Sequence, residues 1–417
     1  MPSQDGAAES SRKHGWALSA IVVGLAIALA LARPCAAAVV ECASGDVTCL
    51  ITAVNTANAS GGATTIQLQP GTYSLRAPDN DTEGPNGLPS ITSALTIVGA
   101  GAGSTIIERD ATAPDFRLLH VAATGLLKLE RLTARGGRVT GMSSGGAGIL
   151  NRGTAILSQS ALTDCMTRGI DAGGGGGILS VGRLVIAGST VSHNSSGGSG
   201  GGVSSFAGLL TIVDSTISGN TGDLGGGIFI GQSMAVIIGS TIADNIATDG
   251  SGGGVFSSST AVAIVNSTIA GNFTNFGGGG LAGGGGILLN TTIANNDIPV
   301  GGEALFASSA LAVYNSIVSG RPILGHPACF GQVTSLGNNL FSDSTCAVTL
   351  LSDDLTGDPR LGDFTDDGTP GHGFLPLLRR SPALNAGDAG ACLPTDQRGR
   401  RRTAKGCDIG AIEGTRP

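Results

Sequence analysis

Aromatic and charged side chains are scarce in this sequence. Its 417 residues include one Trp, two Tyr and eleven Phe, and only 13% of them are Asp, Glu, Lys or Arg. This composition excludes an aromatic-rich globular core. The 71 glycines follow no three-residue period, so a collagen helix is excluded as well. Small aliphatic residues raise the hydrophobic fraction to 41%, which is too high for a disordered chain.

Residues 1–38 have the pattern of an export signal. The basic stretch Arg12-Lys13-His14 precedes an apolar run from Trp16 to Ala32, and Ala36-Ala37-Ala38 supplies small residues for cleavage. We predict cleavage after Ala38. The alternative is an uncleaved membrane anchor, but the run is slightly short for a span of ~20 apolar residues. The mature chain is therefore expected to be secreted, periplasmic or at the cell surface, with no stable membrane domain.

Basic side chains are too few for a nucleic-acid-binding surface. Removal of residues 1–38 changes the formal net charge from −7 to −8, and Lys128 and Lys405 are then the remaining lysines. Binding to phosphate groups requires a basic face, so we predict no nucleic-acid partner.

The cysteines after the predicted cleavage site fall mostly into sequence neighbours: Cys42 with Cys49, Cys329 with Cys346, and Cys392 with Cys407. In an exported protein this spacing favours three local disulfides, although spacing alone does not fix the connectivity. Cys165 has no such neighbour. We interpret it as a small buried apolar residue, with a reactive thiol as the alternative.

A repeat of 24 to 29 residues runs through the middle of the chain. Its first marker is an aliphatic residue after a glycine run, at Ile149, Ile178, Val203, Ile228, Val255, Leu281 and Leu305. Its second marker, Ser-Thr-Ile or a variant, places an aliphatic residue at Leu162, Val191, Ile217, Ile242, Ile269, Ile293 and Ile317. Both markers keep the same spacing, as stacked repeat units require.

The apolar stretches within each repeat are too short for helices and alternate as strands do. An example is Leu209–Val213 followed by Ser215-Thr216-Ile217. Three short strands separated by tight turns make one coil of a parallel β-helix, in which equivalent residues stack in register. We therefore predict an all-β fold, a right-handed parallel β-helix of roughly ten coils, with Ile242 pointing into the stack.

Asparagine follows the second marker by three residues in five consecutive coils, at Asn194, Asn220, Asn245, Asn272 and Asn296. Cys165 and Gly320 hold the equivalent positions before and after this column. Stacked amides can hydrogen-bond to one another, so we predict a structural Asn ladder. We also expect these asparagines to adopt the left-handed backbone of a sharp corner, and the glycine runs to form the opposite corner.

Both ends of the chain resemble segments of bacterial β-helix proteins. Residues 49–58 look like a degenerate CSLREA-type N-terminal segment, with Ile51-Thr52 in place of its Arg-Glu pair. Residues 70–73 and 95–99 resemble the first coils of the same proteins. The stretches 358–361, 381–388, 396–399 and 407–413 resemble the choice-of-anchor tail that follows such helices.

This resemblance is to the pectate-lyase-like superfamily of right-handed parallel β-helices. Together with the repeat and the export pattern at 1–38, it predicts a signal peptide at 1–38, an N-terminal cap and first coils at 39–94, β-helix repeats at 95–320 and a C-terminal capping tail at 321–417. Both flanks are expected to act as caps because an open stack exposes unpaired strand edges at its ends.

Members of this superfamily that cleave acidic polysaccharides use Ca²⁺ held by carboxylates and an Arg or Lys base. Asp171, Asp223 and Asp249 each precede a glycine run and are the candidates for calcium ligands. Their differing register favours turn residues instead. Clustering of Asp171 with Arg168 and Arg183 would favour a lyase. No other cofactor is predicted.

Asp366-Asp367 and Gly371-His372-Gly373 look like the two motifs of β-helical polygalacturonases. In that family the motifs lie on different coils, whereas here three residues separate them within the tail. Hydrolysis is therefore not predicted. Phe229 and Phe256 alternate with inward aliphatic residues and are candidates for an outward aromatic strip.

These patterns predict a secreted or surface β-helix protein without catalytic activity. Its expected role is adhesion or the binding of an extracellular polysaccharide or other cell-surface component. A calcium-dependent acidic-polysaccharide lyase and a structural spacer without a ligand are the alternatives.

Overall fold

A computed structural model describes residues 38–141, 145–169, 174–299, 303–320, 327–346, 349–403 and 406–414. Within these residues the chain winds into a right-handed parallel β-helix of about 11 turns. The predicted all-β fold is therefore confirmed. The predicted signal peptide lies almost wholly outside the described residues.

Three parallel sheets form the walls of the helix in the described residues. Sheet 1 has nineteen strands, two per coil through the central coils. They are Ala38–Cys42, Thr64–Leu68, Ala94–Val98, Leu119–Val121, Leu126–Glu130, Ile149–Asn151, Thr154–Ser158, Ile178–Ser180, Arg183–Ala187, Val203–Phe206, Leu209–Val213, Ile228–Gly231, Met234–Ile238, Val255–Ser257, Val262–Val265, Leu281–Gly283, Gly286–Leu289, Leu305–Tyr314 and Cys329–Ser335.

Sheets 2 and 3 complete each coil. The twelve strands of sheet 2 are Gly71–Leu75, Thr105–Arg109, Thr133–Arg135, Ala161–Thr163, Thr190–Ser192, Thr216–Ser218, Thr241–Ala243, Thr268–Ala270, Thr292–Ala294, Ile317–Val318, Leu340–Phe341 and Leu355–Thr356. The six strands of sheet 3 are Arg138–Thr140, Met166–Arg168, Ser195–Ser196, Thr221–Gly222, Ile246–Ala247 and Phe273–Thr274.

Apart from Ile317, the residues of both repeat markers point into the core and pair in register from coil to coil. Ile217, Ile242 and Ile269 are successive partners in sheet 2, and each side chain is fully buried. Burial of each such side chain contributes about 1.5–3 kcal/mol.

The register predicted for the last coil is wrong by one residue. Val318, not Ile317, pairs with Ile293 and points inward. Ile317 faces outward, where Ala383 and Ile409 of the C-terminal segment cover it. That segment shields the Ile317 side chain from water, so an aliphatic residue is stable at this outward position. In the sequence, Ile317 therefore cannot be told apart from an inward residue of the second marker.

An α-helix, Val47–Ser60, closes the N-terminal end. Asp46 accepts a 2.9 Å hydrogen bond from the backbone N–H of Cys49 at its start, and Gly61 ends it with a φ of 64°. Its buried face, Leu50, Ala53, Val54 and Ala57, joins the core of the first coils.

Parallel strands continue past residue 320, the predicted end of the repeats. Cys329–Ser335 pairs with Leu305–Tyr314, and Leu340–Phe341 and Leu355–Thr356 extend sheet 2. Residues 358–414, here called the tail, then run back along the outside of the helix.

The five asparagines form a buried column of hydrogen bonds between sheets 2 and 3. The backbone N and the Nδ2 of Asn220 both donate to Oδ1 of Asn245, each at 3.0 Å, and Asn245 repeats the pattern with Asn272. At the near end, the backbone N of Cys165 donates to Oδ1 of Asn194 at 3.0 Å.

The left-handed residue of this corner is not the ladder asparagine, as expected, but its predecessor. Asp164, His193 and Asp244 have φ values of 57°, 55° and 55°. The ladder side chain must point into the core, so the preceding exposed residue makes the turn.

A glycine run packs directly against the Asn ladder. Gly225 has a φ of 61°, as the corner requires. A Cβ atom on Gly227 would lie 2.9 Å from Cγ of Asn245, closer than any normal contact. Glycine at these positions therefore permits both the positive φ and the close approach of the backbone to the ladder.

A second polar ladder, absent from the predictions, lies between sheets 1 and 2. The backbone N–H groups of Ser160, Ser189, Ser215 and Ser240 each donate to the hydroxyl of the equivalent serine one coil later, at 3.0–3.2 Å. These serines belong to the Ser-Thr-Ile marker, so their spacing was visible in the sequence, but their inward orientation was not.

The three predicted disulfides are present: Cys42–Cys49, Cys329–Cys346 and Cys392–Cys407. Cys165 is 1% exposed, and its burial raises the pKa of the thiol to about 12. Since the thiolate is the reactive form, the inert interpretation of Cys165 is favoured.

Candidate functional site

The tail docks on a column of outward threonines in sheet 2. Thr216, Thr241, Thr268 and Thr292 occupy equivalent positions in four successive coils. Their hydroxyls bond the backbone N–H of Gly371, the carbonyl of Gly373, Oε1 of Gln397 and the backbone N–H of Ala411, at 2.9, 2.8, 2.6 and 3.0 Å respectively.

A row of left-handed corner residues beside this column also holds the tail. Asn266, Asn290, Asn315 and Asn338 have φ values of 47–52°. Oδ1 of Asn266 accepts a 2.8 Å hydrogen bond from the buried guanidinium of Arg402. The amides of the other three donate to tail carbonyls of Ala391, Asp388 and Ala386 at 3.1–3.3 Å.

A cleft of about 670 Å³ opens where the tail leaves sheet 2. Its lining includes Gln159, Thr190, Asp214, His372, Gln397 and Arg398. Thr190 is the partner of Thr216 one coil earlier, so it continues the threonine column beyond the docked tail. The volume falls in the range of small-ligand sites.

Asp214 and His372 both line the cleft, one from a coil and the other from the tail. Asp214 occupies a left-handed corner, with a φ of 46°, and remains accessible to solvent. Partial desolvation by neighbouring protein atoms raises the pKa of Asp214, and the nearby His372 opposes this rise. Nδ1 of His372 lies 3.4 Å from Oδ2 of Asp367.

Arg398 forms a partly buried cationic wall. Its guanidinium lies 3.9 Å from the centre of the Phe374 ring and contacts Oδ2 of the buried Asp396 at 3.4 Å. Burial lowers the pKa of Arg398, although the neighbouring Asp396 counteracts it. Its Nε–H has no hydrogen-bond partner within the described residues.

The candidate calcium ligands do not assemble into a site in the described residues. Asp223 and Asp249 both lie near Thr248. The hydroxyl of Thr248 is 3.1 Å from Oδ1 of Asp223 and 3.5 Å from Oδ2 of Asp249. Asp171 lies outside the described residues. No group of three His, Cys, Asp or Glu side chains suited to a metal occurs within the described ranges.

The two arginines considered for a lyase site lie on different sheets. Arg168 belongs to the sheet 3 strand Met166–Arg168, and Arg183 begins the sheet 1 strand Arg183–Ala187. Within the part of the chain that the structure describes, these two basic residues therefore belong to different walls of the β-helix.

The two candidate phenylalanines do face outward from sheet 1, but they stack on each other. Phe229 and Phe256 are register partners with ring centres 5.6 Å apart and planes 9° apart, and Phe206 packs on Phe229 at 5.0 Å. Phe229 is 8% exposed. Its ring faces are thus occupied by neighbouring rings and are not available to stack on a sugar.

A polar cluster missed in the sequence lies under the loop of residues 79–92. Arg117 is buried and donates to Oδ1 of Asn86 at 2.7 Å, and burial lowers its pKa to about 10. Nδ1 of the buried His120 is 2.9 Å from Oγ of Ser90, and its Nε2 is 3.6 Å from Glu83. Because both side chains are about 1% exposed, the cluster anchors the loop and does not form an open site.

The parallel pairing of equivalent strands from coil to coil defines the class of this protein as a right-handed parallel β-helix. The family described as right handed beta helix region matches residues 126–298. No curated protein matches the chain.

Two solved structures from Azotobacter vinelandii are similar. They are the A-modules of mannuronan C-5 epimerases AlgE4 and AlgE6, each 14% identical over 78% of this chain. The alignments cover 94% and 98% of those chains, with TM-scores of 0.43 and 0.41. A likeness at this identity concerns the fold alone.

Proposed function

We propose that this protein binds extracellular polysaccharide in the cleft between sheet 2 and the tail, without cleaving it. The supporting observation is the threonine column. Four of its hydroxyls already hold an extended polar chain, the tail, three of them through backbone N–H and carbonyl groups and one through the side-chain amide of Gln397. Thr190 continues the same column into the cleft.

A polysaccharide is an extended chain of hydrogen-bond donors and acceptors. The cleft offers it the hydroxyl of Thr190, the amide of Gln159, the carboxylate of Asp214 and the imidazole of His372. Equivalent positions recur every coil, at about 4.8 Å, so the column presents regularly spaced groups along the long axis of the protein.

The side chains that line the cleft favour binding of a polysaccharide without its cleavage. A calcium-dependent lyase needs several carboxylates around one ion, and among the described residues Asp214 is the single carboxylate lining this cleft. Three disulfides suit an oxidising compartment outside the cytoplasm, where extracellular polymers occur. Within the described residues, no helix has the length and apolar character of a membrane span.

The test is affinity electrophoresis of the purified protein through gels containing pectate, alginate or a neutral glucan. We expect retardation by at least one polymer. Thr190→Val and His372→Ala should each weaken the interaction about tenfold, because each removes a polar contact of ~1.4 kcal/mol. Thr154→Val, on sheet 1, is the matched control and should bind normally.

Two results would overturn the proposal. Retardation by none of the polymers would leave the structural-spacer role. Calcium-dependent release of unsaturated uronate product, followed by ultraviolet absorbance in the same samples, would establish the lyase instead.

A further inference from the structure

The outward side of sheet 1 carries an apolar face. Its middle column runs through six successive coils as Ile156, Val185, Thr211, Val236, Ala263 and Ile287, all register partners. These residues belong to the longer sheet 1 strand of each coil and alternate with fully buried core residues. We call the outward side of these six strands, from Thr154–Ser158 to Gly286–Leu289, the apolar face.

Charge is almost absent from the apolar face. Arg183, at the edge where its strand begins, is the single charged residue of the six strands. Met234, in the same edge column, is 56% exposed, which is unusually high for so large an apolar side chain. Apolar surface that stays accessible to solvent marks interaction sites in soluble proteins.

The tail does not account for this surface. It attaches to the neighbouring corner, at Asn266 and Asn290, and to the threonines of sheet 2. Val236, Ala263 and Ile287 in the middle column remain partly exposed, whereas Val185 in the same column and Val265 beside it are buried.

We propose that a second copy of this chain docks on the apolar face, forming a symmetric dimer. A polysaccharide is a poor occupant, because its hydroxyls would lose water and find few partners among aliphatic side chains. Another apolar face is chemically complementary. Two flat sheets with side chains at regular spacing pack face to face at about 10 Å, and a two-fold axis brings the same patch of each copy together.

The dimensions agree with such an interface. Six coils at about 4.8 Å and strands of about five residues give a face of roughly 29 by 17 Å, or about 500 Å² on each copy. Two copies bury about 1,000 Å², close to the lower bound for a specific interface. The adjoining Phe206 and Phe256 are partly exposed and enlarge the area available for contact, whereas Phe229 between them is buried.

Sedimentation velocity of the purified protein tests this dimer. The wild type should sediment with about twice the mass of one chain at micromolar concentration. Met234→Glu places a charge on the apolar face and should halve that mass. Ile246→Glu, at a 40% exposed position on sheet 3, makes the same change on another face and should leave the dimer intact.

Thermal melts of both variants establish that they remain folded. A wild type that stays monomeric, or a Met234→Glu variant that is folded and still dimeric, would overturn the inference. Neither outcome bears on polysaccharide binding, because Met234 and the cleft lie on different sheets.

Discussion

The hydroxyl of Thr268 donates a 2.6 Å hydrogen bond to Oε1 of Gln397, which lies 129 residues later in the chain. Nε2 of the same buried amide donates to Thr241 at 3.0 Å and to the carbonyls of Gly371 and Gly373 at 2.7 and 2.8 Å. Gln397 thus joins two coils of the helix to two separate stretches of the tail.

Loss of the Gln397 amide should release the tail while the coils stay intact. Gln397→Ala leaves several buried polar groups without partners, at a local cost of about 2–3 kcal/mol. We expect limited proteolysis to cut within residues 358–403 much faster than in the wild type, with an unchanged far-ultraviolet circular dichroism spectrum. Gln332→Ala, at an exposed position, is the control. Equal cleavage rates in all three proteins would show that Gln397 does not hold the tail.

The Asn ladder should stabilise the β-helix as a whole. Asn245→Ala removes the acceptor of two hydrogen bonds from Asn220 and the donor to the carbonyl of Ile217. We expect a loss of about 2–4 kcal/mol in the free energy of unfolding, measured by urea denaturation. Asn275→Ala, at an exposed loop position, should cost less than ~0.5 kcal/mol. Similar values for the two variants would contradict the role of the ladder.

Ile242→Ala tests the register of sheet 2. The side chain is fully buried between Ile217 and Ile269, so the substitution leaves a cavity and should cost about 2–5 kcal/mol. Ile246→Ala changes the same residue type at a 40% exposed position four residues later and should have a much smaller effect. An unchanged denaturation midpoint for Ile242→Ala would be incompatible with the register.

His120 should make the protein less stable in acid. Burial lowers the pKa of His120 below its usual 6.5, with Arg117 and Arg152 lowering it further and Glu83 opposing them. The unfolded chain therefore binds a proton at higher pH than the folded chain does, so stability is lost as pH falls below about 6.5. His120→Gln should reduce the difference in melting temperature between pH 7.5 and pH 5. The exposed His193→Gln serves as control, and an identical pH dependence in wild type and His120→Gln would refute the assignment.

Much of the helix was predictable because its repeat is one-dimensional. Residues such as Ile178, Val203 and Ile228 recur at nearly constant spacing, and each coil contacts the next, so spacing in sequence translates directly into pairing in sheet 1. Short cysteine separations likewise indicated the three disulfides. The prediction failed at Ile317, since an outward residue there is covered by Ile409 from a segment outside the repeat.

The candidate site was not predictable in the same way. Thr190, Asp214 and His372 come from two coils and a tail loop, and no spacing in the sequence relates them. The motif at residues 366–373 was recognised, but its position against the threonine column was not. Only the return of the tail along sheet 2 brings His372 into one cleft with the coils.

The sequence by itself determined the stacked coils, the column of Asn194 to Asn296 and the export-compatible cysteine pairs, because each depends on residues one repeat apart or less. The tertiary structure alone decided which faces are covered. The tail buries the threonines of sheet 2 through contacts such as Thr268 with Gln397, whereas the face around Val236 stays accessible. Contacts between residues more than a hundred positions apart depend on the path of the chain in space. A pattern of neighbouring residues does not determine that path.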